Sequence, residues 1–310
     1  MSAQQIAQVS SQDNQRSIEL ARLVRRLHIN NRIALGVLYV VAAFVILVFV
    51  ATIVFLVLRG ITYLFNPAFY SQSDIGVGPE LFNSFYILIL AELFLFPIAL
   101  AAAIYLVEYA RQGRLITIIH FAAETLAGVP SIVLGLFGVL AFSDILHLHT
   151  SRLAGALTLL CLNLPLALRL FEDALAAVPR DLHEGGLALG ATRWHMVRTV
   201  VLPSALPGLV TGLILSAGKI IGEAAALLFT MGLNNPSNGV FTLNPLIASD
   251  TLTTHLYFVA GPGAGSTSLT HGQETAITAG SATLLIVILL VINVAARSIG
   301  RFIQRRITAA

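Results

Sequence analysis

The chain has 310 residues, of which 57% are hydrophobic and only 11% charged, with a mean hydropathy of +0.86. A soluble domain carries roughly 45–50% apolar and about 25% charged residues, so the composition excludes a soluble globular protein and predicts an all-α integral membrane protein. The net charge of +3 comes without a basic face interleaved with aromatics, which excludes a nucleic-acid surface.

In chain order, residues 1–32 read as a cytoplasmic basic segment. Within it Leu20, Leu23, Val24 and Leu27 fall at helical spacing opposite Arg22, Arg25 and Arg26, a pattern for an amphipathic helix on the inner membrane face. The apolar run that follows is longer than the 7–15 residues of a secretory signal core, so the segment is expected to stay attached. About 20 apolar residues cross the hydrocarbon, and six such runs occur, near 33–58, 82–107, 115–141, 153–171, 204–231 and 276–296. They make a six-helix permease domain over 33–298, closed by a basic cytoplasmic tail at 299–310.

Basic residues next to short loops stay on the cytoplasmic side. With the N-terminus inside, the 18 basic residues divide as 15 inside, Arg59 and Arg152 outside, and Lys219 within a span. Both termini are therefore expected in the cytoplasm, with the loops at 59–81 and 232–275 external and the loop at 172–203 internal. The long external loop carries turn-forming runs at Asn234–Gly239 and Gly261–Gly265.

The internal loop has its own logic. Pro179 stops a helix continuing from the fourth span. Residues 180–189 can restart one, with Asp181 and Glu184 at its favourable N-terminal end. Gly190 then supplies a left-handed stop and Thr192 a cap for the next helix. The small residues Gly185, Ala188 and Gly190 let another surface come close to the backbone. The order Glu184-Gly185-Gly186, three residues, Gly190, nine residues, apolar, one residue, Leu202-Pro203 resembles the signature loop of bacterial ABC-importer permeases. That resemblance implies a MetI-like permease fold and a coupling helix docking on a separate ATPase through Glu184, Gly185, Gly186, Gly190, Leu202 and Pro203. No Gly-Lys-Ser/Thr phosphate loop occurs in the chain itself, so it is expected to be a transport subunit, neither an enzyme nor a cofactor protein.

Two more strings narrow the resemblance. Leu126-Ala127-Gly128-Val129-Pro130-Ser131 through Gly138 interrupts the third span, and irregular backbone at membrane depth is tolerated where it lines a cavity or is buried in protein. Ser216 through Thr230 carries Lys219, three residues, then Glu223-Ala224-Ala225. Both strings, with Ala102 through Ala110, resemble the PstA-like permeases of phosphate-specific ABC importers over roughly residues 82–231. The family usually has Arg where Lys219 stands, and Lys keeps the charge without the bidentate fork. The resemblance implies a translocation pathway past Lys219, Glu223, Pro130 and Ser131, and as partners a PstC-like second permease, a PstB-like ATP-binding subunit and an external PstS-like phosphate-binding protein.

Energetics also single out Lys219 and Glu223. On one expected helix they share a face, an arrangement worth only a few tenths of a kcal/mol, whereas a charge near a span centre costs about 2.5–3.5 kcal/mol. Gly208 and Gly212, then Gly218 and Gly222, form small-residue faces expected to meet the second permease. Glu92 and Glu124 match no motif. The eight histidines are scattered without ligand spacing, so no metal site is expected, and Cys161, alone in the fourth span, is expected to pack as a small apolar residue.

Two other classes fit parts of the pattern. A gradient-driven secondary transporter would use Glu92, Glu124, Lys219 and Glu223, and a membrane scaffold would use the loop alone; within the ABC class, sulfate or molybdate replaces phosphate without change of charge sign. The distribution of basic residues yields a direct prediction. A reporter active only outside the membrane should work when fused at His147 or His255 and fail at Arg111, Leu187 or after Arg306. Activity at Leu187 would put the signature loop out of reach of any cytoplasmic ATPase.

Overall fold

The computed structural model describes residues 3–72, 75–111, 113–188, 190–233, 241–261 and 269–308, without the side chains of residues 3–29, 183, 187 and 303–308. The expected turn runs at 234–239 and 262–265, and the side chains of the amphipathic pattern at 17–28, fall outside the described residues. The chain divides into two compact units, residues 1–55 and 56–310. The first is helical, the leading part of α1 (Ala3–Leu64), and its apolar side chains from Ile33 to Phe55 are exposed almost throughout, as befits a surface whose solvent is lipid.

The second unit is built on two long helices, α2 (Gly78–Ile104) and α5 (Arg152–Ala176). Ile87, Ala91, Leu95, Ala99 and Ala103 recur every fourth residue along α2, and none is more than 1% exposed. Such a row lies on one side of a helix, and its small members let α5 approach with Ala156, Leu159, Ala167, Phe171 and Leu175. Phe96 of α2 meets Phe171 of α5 edge to face at 5.6 Å. Outside this seam pack α8 (Leu202–Gly222) and α11 (His271–Thr308). Gly208 and Gly212 of α8 face α5: a Cβ on Gly208 would stand 2.7 Å from that of Ala174, and one on Gly212 3.1 Å from Leu170 Cβ. This glycine row closes a contact within the chain, which corrects the expectation that it meets a second permease. Of the other pair, Gly218 lies loosely against Leu289 of α11 and Gly222 faces open space.

Among the described residues, five helical stretches are long and apolar enough to cross a membrane: Asn30–Leu64, Gly78–Tyr109, Arg152–Ala176, Arg193–Gly222 and His271–Phe302. The run expected as the third span departs from that simple form. It consists of α3 (Arg114–Ala127) and α4 (Ser131–Gly138, continued as a wider turn to Ile145), bent by 100° at Gly128–Pro130. Pro130 cannot donate to the preceding turn and starts α4 instead, its carbonyl accepting from Val133 and Leu134. The expected fifth span is interrupted too. α8 ends at Gly222, residues 223–226 leave the helix, and a single turn, α9 (Leu227–Thr230), follows.

One end of α5 is held by a buried cation. The first backbone N–H groups of a helix have no internal partner. Here Arg152 N donates to Ile247 O at 3.0 Å, Leu153 N to Pro245 O at 2.8 Å, and the Ser151 hydroxyl accepts from Ala154 N at 3.2 Å. The Arg152 side chain, fully buried, donates through Nε to Ser249 Oγ at 2.9 Å and through a terminal nitrogen to Asn83 Oδ1 at 2.5 Å, and its other terminal nitrogen donates to Thr242 O. Tyr86 covers the guanidinium at 4.8 Å. Arg152, placed by sequence only as an external topological marker, therefore fastens the 242–249 loop to α2 and α5. Arg152→Met should leave the Ser249, Asn83, Thr242 and Asn244 acceptors without their donor, at about 1–3 kcal/mol for each one left unsatisfied, and lower the detergent-solubilised thermal midpoint by many degrees. Arg152→Lys, with one nitrogen and no fork, should recover part of that loss; a midpoint unchanged in Arg152→Met would show that the loop is held by other contacts.

Candidate functional site

Two places in the second unit carry the residues that the sequence singles out. The first is the loop after α5. α5 ends at Ala176, Pro179 intervenes, and α6 (Arg180–Ala188) begins at once, with Asp181 in its first turn. Gly190 has φ +82°, the left-handed conformation that costs an L side chain about 1–2 kcal/mol. Thr192 then caps the single turn α7 (Arg193–Met196) by accepting from His195 N at 3.3 Å. Each of these three devices stands where the residue types require it. Glu184 and Gly185 are exposed, and no atom lies within 4 Å of a Cβ built on Gly185 or Gly190. Gly186 differs, since its added Cβ would press on Met196 Cγ at 3.1 Å, so this glycine serves the packing of α6 on α7.

The loop is anchored to the bundle by a contact that sequence reading misses. Arg193 donates to the carbonyl of Glu108, at the end of the stretch continuing α2, at 3.3 Å. A cavity of about 610 Å³ opens beside α6, lined by Glu108, His120, Glu172, Arg180 and Glu184 among others. His120 Nδ1 lies 3.8 Å from a Glu172 carboxylate oxygen across it. Leu202 and Pro203, the far end of the signature, are the first two residues of α8, which continues the helical turns at Arg193–Val201. Arg193 thus ties the α6–α7 loop to the stretch continuing α2, and the chain runs on through Val197–Val201 into α8.

The second place is where the broken spans meet. Gly135 of α4 packs directly on the backbone that follows α8: a Cβ there would stand 2.9 Å from Ala226 Cα and 3.0 Å from Ala226 O. Any larger residue would push the two segments apart. The helix that starts at the Pro130 break thereby lies on the Glu223 break, nearly a hundred residues away in sequence. Glu223 terminates α8 in an extended conformation (φ −79°, ψ 127°). Its carboxylate accepts from Ala226 N at 3.3 Å, and its carbonyl accepts from the Thr253 hydroxyl at 2.9 Å.

That geometry corrects the expected Lys219–Glu223 pairing on one helix face. The helix ends before Glu223, the carboxylate turns to its own following backbone, and among the described residues no ion pair joins the two. Lys219 lies on an exposed flank of α8 with Leu215 and Gly222. Ser216, on the inward row that continues Gly208 and Gly212, donates instead to Glu92 of α2, which gives a partner to a carboxyl that matched no motif. The second Glu92 oxygen is buried without a hydrogen bond. Glu124 and Cys161 acquire no role beyond packing positions.

A helical membrane bundle with two interrupted spans, and a short exposed helix set off by a proline and a left-handed glycine, is the build of an importer's membrane subunit. The chain belongs to the binding-protein-dependent transport system inner membrane component family, whose description matches residues 95–309. It is 35% identical over 295 residues, covering 91% of this chain and 98% of the relative, to the probable ABC transporter permease protein YqgI of Bacillus subtilis. It is 36% identical over 213 residues, covering 68% of this chain and 65% of the relative, to the phosphate transport system permease protein PstA 1 of Mycobacterium tuberculosis. Among solved structures the fold is shared with the inward-facing MetNI methionine ABC transporter, at a TM-score of 0.57 and 20% identity, covering 72% of this chain and 94% of that one. A bacterial alginate ABC importer has a TM-score of 0.56 at 16% identity, covering 75% of this chain and 81% of that one. The chain is therefore an ABC-importer permease, a multi-pass transport subunit whose ATPase is a separate protein and which works with a second permease and a binding protein. A gradient-driven transporter and a scaffold are thereby set aside.

Proposed function

We propose that this permease carries phosphate into the cytoplasm, pairing with a PstC-like permease and driven by a PstB-like ATPase, with a PstS-like protein delivering the anion from outside. The observation that supports this most is the 36% identity over 213 residues to a phosphate permease. Lys219 fits the reading, because a lysine on an exposed helix flank is expensive against hydrocarbon, at about 2.5–3.5 kcal/mol, and inexpensive along a wet pathway shared with a second subunit. Its ammonium attracts an anion there. Glu223, Pro130 and Ser131 contribute as wall: they hold the irregular backbone through which the pathway runs. Both termini face the cytoplasm in this reading, as α6 must in order to reach the ATPase.

Uptake of labelled phosphate by cells expressing the whole complex tests the substrate. Phosphate uptake should require ATP hydrolysis and resist equal concentrations of sulfate and molybdate. Uptake of either competitor in place of phosphate would assign the pathway to that oxyanion. Lys219→Ala should lower phosphate uptake about tenfold or more, equivalent to about 1.4 kcal/mol, and Lys219→Arg should retain most of it. Glu223→Gln keeps the acceptor for Ala226 N and should stay close to the parent, whereas Glu223→Ala should be strongly impaired. Full uptake in Lys219→Ala would remove that residue from the pathway.

Coupling follows from the exposed α6 and the open space at Gly190. The ATPase engages Glu184, Gly185 and Gly190, and closure of the ATPase dimer pushes α6, so that the two permeases rock between states open on either side. Gly190→Leu adds both bulk and about 1–2 kcal/mol of left-handed strain, and Glu184→Lys reverses the charge. Each should leave the protein inserted, weaken co-purification of the ATPase and abolish uptake. Normal attachment together with normal uptake in both variants would move the docking surface elsewhere.

A further inference from the structure

At the end of the bundle opposite the α6 loop, Glu80 in the first turn of α2, Asp250 in the loop after Arg152's partners, and His255 of α10 (Leu252–Ala260) converge. One ligand atom from each lies within 4.8 Å of the others. His255 Nδ1 faces both carboxylates, at 3.1 Å from Asp250 Oδ2 and 4.0 Å from Glu80 Oε1. Their side chains are 13%, 7% and 13% exposed for Glu80, Asp250 and His255, and Glu80 Oε2 is buried with no hydrogen-bond partner. Buried Val77, Leu252 and Val259 belong to the apolar cluster in this region.

One donor of this cluster is left without a partner. Two carboxylates are withdrawn from water, and among the described residues neither has a lysine or arginine partner. Arg152, bonded to Asp250's neighbour Ser249, spends its donors on Ser249, Asn83 and the Thr242 and Asn244 carbonyls. A carboxylate oxygen buried without a partner, beside an imidazole and a second carboxylate, leaves a donor free for a cation.

We propose that Glu80, Asp250 and His255 form a binding site for a divalent transition-metal cation of the zinc class. A divalent ion with two carboxylates and a neutral imidazole makes the cluster neutral, and one imidazole with two carboxylates is a donor set such ions accept. Two donors on one tetrahedral zinc, each at about 2.1 Å, stand about 3.4 Å apart. The distances of 3.1 and 4.0 Å bracket that spacing, so small side-chain movements suffice. The ion would staple α10 to the start of α2, beside the existing bond from Leu252 N to Ser84 Oγ at 2.9 Å. Since Thr253 of α10 holds the Glu223 carbonyl, the staple steadies the break in the fifth span. The scattered histidine spacing gave no hint of this, because the three donors come from positions 80, 250 and 255 and only folding brings them together.

The test uses the full-length protein in detergent, stripped with chelator and titrated with Co²⁺, whose visible absorption reports coordination, and then with Zn²⁺ in competition. One Co²⁺ per chain should bind, be displaced by Zn²⁺, and raise the thermal midpoint. Glu80→Gln and His255→Gln, which preserve side-chain size, should each weaken binding by no less than the about 10-fold that losing even an outer-shell partner costs, and should lose the midpoint rise. His271→Ala, at a fully exposed histidine near Glu274, should change neither. Failure of the parent protein to bind Co²⁺, or equal affinity in the parent and both Gln variants, overturns the proposal. A midpoint that rises in the Gln variants as it does in the parent overturns it as well, whichever residues then hold the ion.

Discussion

The contact between Gly135 and Ala226 is the constraint on which the arrangement of this permease depends. A polypeptide in hydrocarbon must satisfy every backbone group internally, so a helix can be broken inside the membrane only where another part of the protein covers the break. Here α4 lies on the break that follows α8. α4 starts afresh after Pro130, α8 stops at Gly222, and the absence of a side chain at Gly135 lets α4 lie on the backbone beyond that stop. The carboxylate of Glu223 and the hydroxyl of Thr253 then take up backbone groups that a continuous helix would have satisfied itself. Lys219 stands one turn before this point, so the charge and the irregular backbone belong to the same region of the bundle.

Much of this was legible in the sequence, for identifiable reasons. Span positions follow from apolar run length, and the long helices contain four of the six expected runs and overlap a fifth. The α6 loop was legible residue by residue, because proline, a left-handed glycine and a threonine cap act through local backbone geometry that does not depend on the rest of the fold. Pro130 announced a break, though not its angle of 100°, which is set by what α4 packs against. The same limit explains the misreading of Lys219 and Glu223. Four-residue spacing implies a shared face only on an unbroken helix, and nothing local in Ile220-Ile221-Gly222-Glu223 is as emphatic a stop signal as a proline. The termination comes from Thr253 and from Gly135's approach, both distant in sequence.

The glycines of α8 teach a related point. Gly208 and Gly212 do form the close-packing face that their spacing suggests, but spacing carries no information about the partner, and that partner is α5 of the same chain. Arg152 was hidden for the opposite reason. An arginine at a helix start looks like a topological marker, and only the fold reveals that Asn83, Thr242 and Ser249 surround it. Its acceptors are neutral, so the guanidinium keeps its charge by hydrogen bonding and by Tyr86 without the need for a buried carboxylate.

These pieces connect the two ends of the molecule mechanically. At one end α6 is exposed and joined to the bundle through Arg193 and Glu108, while α7 leads without interruption into α8. α8 in turn carries Lys219 and ends at Glu223, where α10 grips its carbonyl. α10 is held to α2 by Ser84 and by the Glu80, Asp250 and His255 cluster, and its loop to α5 by Arg152. The inward face of α8 is fixed on α5 by close glycine contacts, and the far side of the break after Gly222 is anchored through α10. Residues 223–226, which leave the helix, are therefore held from both sides, and they adjoin the one lysine of the sequence.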